Sequence, residues 1–176
     1  MQVIKRDGTQ EDLNIEKIHR VVMYACEGIT GVSASEVEIH SQIQFFDKIV
    51  TEDIQETLIK SAADLISEES PNYQYVAGRL INYHLRKQVY GAFTPPCLCD
   101  IIKDNVKAGF YDKEFLDLYT KDEINELQTF IDHNRDEFLT YAAMEQFRGK
   151  YLVQNRATGK IYETPQVAYI MISATL

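Results

Sequence analysis

Two cations beside a tight turn are the first residues here whose types and spacing could do chemistry. The run Val3-Ile4-Lys5-Arg6-Asp7-Gly8 sets Lys5 and Arg6 at a hairpin tip. Polar Glu11, Asn14 and Lys17 follow where a helix is expected to begin. Glycine turns and helix starts both present backbone N–H groups that suit phosphate oxygens. Thr51 opens another helical pattern, and Lys87 lies late in a third. Lys5, Arg6, Glu11, Asn14, Lys17, Thr51 and Lys87 are therefore candidate groups for a triphosphate pocket, provided the hairpin folds over the helices. Hydrogen bonds to charged groups contribute roughly 1.5–3 kcal/mol each, so three or four approach the roughly 8 kcal/mol of micromolar binding before ordering costs. The same residues also suit a solvated hairpin tip and exposed helix lysines, and pattern alone does not bring them together.

Other chemistry finds little support. Cys97-x-Cys99 lacks zinc-knuckle spacing, and Cys26 reads as a core residue. His19, His40, His84 and His133 fall on separate elements and read as ordinary core or surface histidines. There is no Walker loop and no Gly-x-Gly-x-x-Gly, and no catalytic or metal-ligating residue is assigned. A net charge of -9 argues against nucleic acid as a partner, because phosphates need a basic surface. No apolar run approaches membrane length, and no signal-peptide core opens the chain. With three sparse cysteines, a cytoplasmic protein is expected.

The elements that must position these groups are mostly helical. Residues 2–6 and 9–13 read as hairpin arms around Asp7-Gly8, a favoured type I′ pair. Asn14 is the expected N-cap of a helix carrying Ile15, Ile18, Val22 and Ala25, with Gly28 as its stop. A second helix is expected over about 35–45 on Val37, Ile39 and Ile43. Thr51 is the expected cap of a third, carrying Ile54, Leu58, Ile59, Ala62, Leu65 and Ile66. Ser70-Pro71 should open a fourth, which runs to Gly91.

Thr94-Pro95-Pro96 is the expected boundary to a second helical block. There one helix should end near Gly109, another should start at the Thr120–Glu123 capping box, and a third should cover about 135–147. Residues 151–153 and 160–162 read as a second hairpin around Thr158-Gly159. The last helix, from Thr164-Pro165, is apolar almost all round and stops at Leu176 without a cap. It is expected to pack against something outside this chain, the alternative being that it is the central helix of the second block.

The residues named so far carry a family resemblance. VIKRDGTQEDLNIEKIHR (residues 3–20), TEDIQETLIKSAADLI (51–66) and PNYQYVAGRLINYHLRKQVYG (71–91) resemble the ATP-cone, the allosteric nucleotide module of ribonucleotide reductases. Residues 130–166 are similar to the helical region that precedes the catalytic barrel in aerobic class I large subunits. The resemblance implies a mainly α fold: a small β-hairpin cap on a four-helix cone over residues 1–91, then a second helical block with a short hairpin over 92–176. It implies that Lys5, Arg6, Glu11, Asn14, Lys17, Thr51 and Lys87 hold ATP or dATP, with Mg2+, as an allosteric effector.

Gln55 departs from the histidine that class I cones often carry near the phosphates, which puts inhibition by dATP in doubt. None of Cys26, Cys97 and Cys99 matches the family's radical or redox cysteines. The chain is thus expected to be an allosteric part of an enzyme of deoxyribonucleotide synthesis. Its expected partners are a chain bearing the barrel and the small radical-generating subunit. The rivals are a freestanding nucleotide-sensing regulator, for which the zinc-ribbon cysteine pairs are missing, and a structural module whose site has decayed.

Overall fold

The computed structural model describes residues 1–42 and 44–176, so Ile43 lies outside the described residues. The chain divides into two compact units. The first comprises Met1–His84 with Glu137–Met144, and the second comprises Leu85–Asp136 with Glu145–Leu176. The fold is mainly helical, with short strands in the first unit and late in the second.

The first unit begins with strands β1 (Gln2–Ile4) and β2 (Gln10–Asp12), paired antiparallel with Val3 opposite Glu11. The turn between them differs from the expected type I′. Lys5 N–H donates to Thr9 O at 2.8 Å and Gly8 N–H to Lys5 O at 2.9 Å. Only Gly8 in this turn takes a positive φ, +82°. This is a three-residue loop closed by a left-handed glycine, the turn-plus-bulge alternative to the two-residue hairpin. Asp7 stays at negative φ because its carboxylate takes the Thr9 amide (2.9 Å) and hydroxyl (2.6 Å).

A further strand, β3 (Ile49–Val50), pairs parallel to β1 and makes the sheet three-stranded, in the order β2-β1-β3. Two residues are too short for a period-2 signal, so the sequence showed only the hairpin.

Helix α1 (Ile15–Cys26) is capped as expected, Asn14 Oδ1 accepting from Lys17 N–H at 3.1 Å. Its buried face is Ile18, Val21, Val22 and Ala25, whereas Ile15 is exposed. Helix α2 (Ala34–Gln42) is shorter than expected and buries Val37 while Ile39 faces out. Helix α3 (Thr51–Asp64) corrects the expected cap: Val50 is the N-cap, no side chain caps the helix, and Thr51 is already helical. Pairing of Ile49–Val50 with β1 holds the chain extended up to that point, so the strand rather than a hydroxyl sets the start. Leu65 ends α3, and Ile66 is exposed.

Helix α4 (Tyr73–Tyr90) starts two residues after Pro71. Residues 71–75 form a tight turn first, with Gln74 N–H on Pro71 O and Tyr75 N–H on Asn72 O, so the Ser70 cap is not used. The core of this unit is built from Val22, Leu58, Val76, Ala77, Leu80 and Ile81, all fully buried. At Gly78 the Leu139 carbonyl comes so close that a Cβ would lie 2.1 Å from it. Glycine is therefore what lets residues 137–144 return onto α4.

In the second unit, α5 (Leu98–Lys107) ends in a Schellman motif: Phe110 N–H donates to Asn105 O (2.9 Å) and Gly109 N–H to Val106 O (3.0 Å). A short α6 (Glu114–Leu118) leads to α7 (Lys121–Gln128), which carries the expected capping box of Thr120 and Glu123. Thr120→Ala removes the hydroxyl that accepts from Glu123 N–H and leaves only the backbone N–H of residue 120 donating to Glu123 Oε2. It is expected to cost about 1 kcal/mol, read as a lower urea midpoint with unchanged slope.

The helix expected over 135–147 is broken into three pieces. A 3-10 turn covers His133–Phe138, then come α8 (Tyr141–Gln146) and a π-helical turn at Phe147–Tyr151. Thr140 accepts from Ala143 N–H at 3.3 Å and restarts the helix, a local competition that apolar periodicity does not register. The second hairpin is β4 (Gln154–Asn155) with β5 (Lys160–Ile161); its first strand begins after the expected 151–153, since Tyr151 still belongs to the π turn.

Helix α9 (Pro165–Thr175) buries Val167 and Met171 in one cluster with Leu98, Ile102, Phe115 and Ile124; Ala168 is also buried, while Tyr169 and Ile172 are exposed. Among the described residues no helix is long and apolar enough to cross a membrane.

Candidate functional site

Within the first unit, the hairpin tip, the start of α1 and the first turns of α3 bring charged groups together. The β1–β2 turn carries Lys5 and Arg6. Register sets Glu11 opposite Val3 on β2, two pairs from the tip. Lys5 Nζ lies 2.7 Å from Glu11 Oε2, and Lys17 Nζ, one turn into α1, lies 3.4 Å from Glu11 Oε1. One carboxylate thus holds two lysines. The Lys5 hydrogen bond holds the Glu11 carboxyl below its ordinary range, and Glu11 in turn raises the Lys5 ammonium.

Arg6 points to the other side of the tip. Its Nε lies 2.9 Å from Glu52 Oε1 in the first turn of α3, and its Nη2 lies 3.5 Å from His84 Nδ1. Arginine only donates, so Nδ1 accepts in this contact, and Nε2 is the other ring nitrogen. That nitrogen lies 3.4 Å from Glu56 Oε1, one turn beyond Glu52. His84 itself is buried. Gln55, on the same stretch of α3, has a buried Oε1 without a hydrogen-bond partner.

The candidate residues thus divide clearly. Lys5, Arg6, Glu11 and Lys17 are joined through ion pairs at the hairpin, and Asn14 is the cap that fixes the start of α1 beside them. Thr51 is the first residue of α3 and the neighbour of Glu52. Lys87 is half-buried near the C-terminal end of α4, in the second unit.

Sequence reasoning missed Glu52, Glu56 and His84. The i, i+4 spacing of Glu52 and Glu56 was a legible signal that both carboxylates share one helix face. Nothing local marked His84 as facing Arg6, 78 positions away.

The arrangement suits an anion. Lys5, Arg6 and Lys17 keep 41%, 34% and 57% of their side-chain surface exposed, so each can exchange a carboxylate for another oxyanion without disturbing the core. The uncapped α3 N-terminus adds backbone N–H groups nearby, and the orphaned Gln55 oxygen leaves a polar group to be satisfied. These groups fit a polyphosphate with a polar end, such as a nucleotide.

The comparisons give this fold a class. The family model described as ATP cone domain matches residues 1–88. The chain belongs to the ATP-cone family, whose domains are nucleotide-binding modules.

Its similarity extends over its whole length to large subunits of one enzyme. It is 54% identical over 176 residues to the ribonucleoside-diphosphate reductase subunit alpha of Haemophilus influenzae, covering all of this chain and 23% of that protein. It is 54% identical over 174 residues to ribonucleoside-diphosphate reductase 1 subunit alpha of Escherichia coli K12, covering 99% of this chain and 23% of that protein. Against the subunit alpha of Enterobacteria phage T4 the identity is 42% over 178 residues, again with 23% of that protein covered. The chain corresponds to the N-terminal, ATP-cone-bearing region of a class I ribonucleotide reductase large subunit, and spans about a quarter of the length of these relatives.

Three free cysteines are present. Cys97 is exposed and Cys99 buried, while Cys26 is half-buried rather than fully in the core, where burial pushes its thiol up to about 11.

Proposed function

We propose that this chain senses adenine nucleoside triphosphates on behalf of a ribonucleotide reductase. The observation that carries this is the gathering of Lys5, Arg6 and Lys17 at the hairpin beside the α1 and α3 N-termini, inside the region matched by the ATP cone family. Lys5, Arg6 and the α3 start hold phosphates. Glu11, Asn14 and Lys17 form the base and ribose side, and Thr51 contributes at the head of α3. Lys87 is included on family likeness alone. Mg2+ accompanies the triphosphate.

Residues 1–91 serve as the nucleotide module and residues 92–176 as the helical region that follows it. Binding acts on quaternary contacts with a barrel-bearing chain and the small radical-generating subunit, in the cytoplasm, and so supports deoxyribonucleotide synthesis for DNA replication. An effector can shift such an assembly only by binding one arrangement more tightly than the other. Gln55 replaces the histidine frequent in class I cones, so dATP is proposed as a ligand without an assigned inhibitory effect.

Calorimetric titration of the 176-residue chain with ATP and dATP, each with Mg2+, tests this. Saturable binding at roughly micromolar levels is expected. A folded sample that takes up neither nucleotide would instead favour a decayed structural module.

A further inference from the structure

We infer that Glu52 is an internal counter-anion that sets the affinity of the nucleotide site: its carboxylate occupies Arg6, and a triphosphate must displace it. This rests on the nucleotide reading above and concerns the regulation of that same site.

Glu52 lies in the first turn of α3, where the helix dipole and the uncapped backbone N–H groups favour negative charge. A phosphate would find its best position there for the same reason. The side chain puts an oxygen 2.9 Å from Arg6 Nε, on the guanidinium edge that would otherwise face an oxyanion. Arg6 is thereby paired on one edge by Glu52 and approaches buried His84 with another nitrogen. The bridge is half-exposed, with 34% of the Arg6 and 45% of the Glu52 side chain accessible, so it can open at little cost to the fold.

Glu11 pairs with Lys5 and Lys17 on the other side of the tip but sits on a strand, where no helix dipole holds it. Glu56 lies one turn further along α3, with its Oε1 3.4 Å from His84 Nε2. Glu52 is therefore the carboxylate that competes for the position of a phosphate. A ligand with several negative charges can displace it, and a weakly charged one cannot.

The test is calorimetric titration of the full chain and its Glu52→Gln variant with ATP and Mg2+. Asp53→Asn is the control, because Asp53 is exposed on the same turn and removes the same charge. Glu52→Gln should bind ATP roughly three- to tenfold more tightly, with a steeper fall of affinity as salt rises, and Asp53→Asn should change it little. Equal gains in both variants would reduce the effect to net charge and overturn the inference. A loss of affinity in Glu52→Gln that depends on Mg2+ would make Glu52 a metal ligand and overturn it as well. In both of those cases the unaltered chain still binds ATP, and the nucleotide reading stands. If neither the unaltered chain nor the variant binds, the nucleotide reading fails and takes this inference with it.

Discussion

Arg6→Ala lowers the affinity of the chain for ATP roughly ten- to hundredfold, the equivalent of one strong charged hydrogen bond or two ordinary ones. The expectation follows from where the guanidinium sits. It touches both the first turn of α3, through Glu52, and buried His84. Alanine removes the fork that matches a phosphate bidentately, which a lysine would not replace. The bridge it breaks is half-exposed, so melting should shift by only a few degrees. Calorimetry for binding and circular dichroism for melting separate the two effects. Binding that survives unchanged would move the phosphates away from the hairpin tip and remove Arg6 from the site. Lys5→Ala should act in the same direction but less strongly, because losing Lys5 also releases Glu11, which keeps Lys17 as partner.

The largest effect on stability belongs to the second unit. There Arg86 is buried, donates to His133 O at 2.6 Å, and stacks over the Phe93 ring at 4.9 Å from its centre. Its Nη2 lies 3.7 Å from the Asp136 Oδ2, an ion-pair distance longer than a hydrogen bond. Asp136 is fully buried; its Oδ2 has no hydrogen-bond partner, while Oδ1 accepts from Gln166 at 3.2 Å. Burial pushes the carboxyl up to about 6 despite Gln166 and Arg86, which pull it down.

Arg86→Met keeps the volume but strips the buried carboxylate of its counter-charge, and should cost about 3–5 kcal/mol at neutral pH. The pH dependence has a definite sign. The Asp136 carboxyl titrates higher in the folded chain than in the unfolded one. Its contribution to stability is therefore complete below about pH 4 and is lost as the pH rises through about 6. Without Arg86 the folded value climbs further, so the variant loses most at pH 8 and least near pH 5, where Asp136 is already protonated. Urea denaturation at the two pH values checks this. An equal loss at both would mean that Arg86 acts through His133 and Phe93 alone.

Much of the helical frame was legible because its signals are local. Asn14, the Thr120–Glu123 box and the glycines at 28, 91 and 109 each act within one turn, and the structure places them where their residue types demand. Apolar spacing located α1, α3 and α4 but not their exact buried faces. Ile15, Ile39 and Ile66 match the pattern yet are exposed, because which edge of an apolar stripe meets a neighbour depends on packing angles that spacing does not encode. Similarly, the break of the 135–147 helix comes from the competing Thr140 cap.

The sequence by itself determined the class of this protein: a helical chain with a cationic hairpin and a set of motifs specific enough to mark an ATP-cone. It also determined which side chains carry charge at the hairpin, since turn, strand and helix start follow one another within residues 2–17. Only the tertiary structure decided the partners. The parallel pairing of β3 with β1 brings the first turn of α3, 46 positions along from Arg6, against the tip and so selects Glu52. Packing within the first unit sets His84 on the other side of the same guanidinium. Local chemistry specifies a turn or a cap through neighbours in the chain, whereas the occupancy of a cation depends on which distant carboxylate the core brings within 3 Å of it.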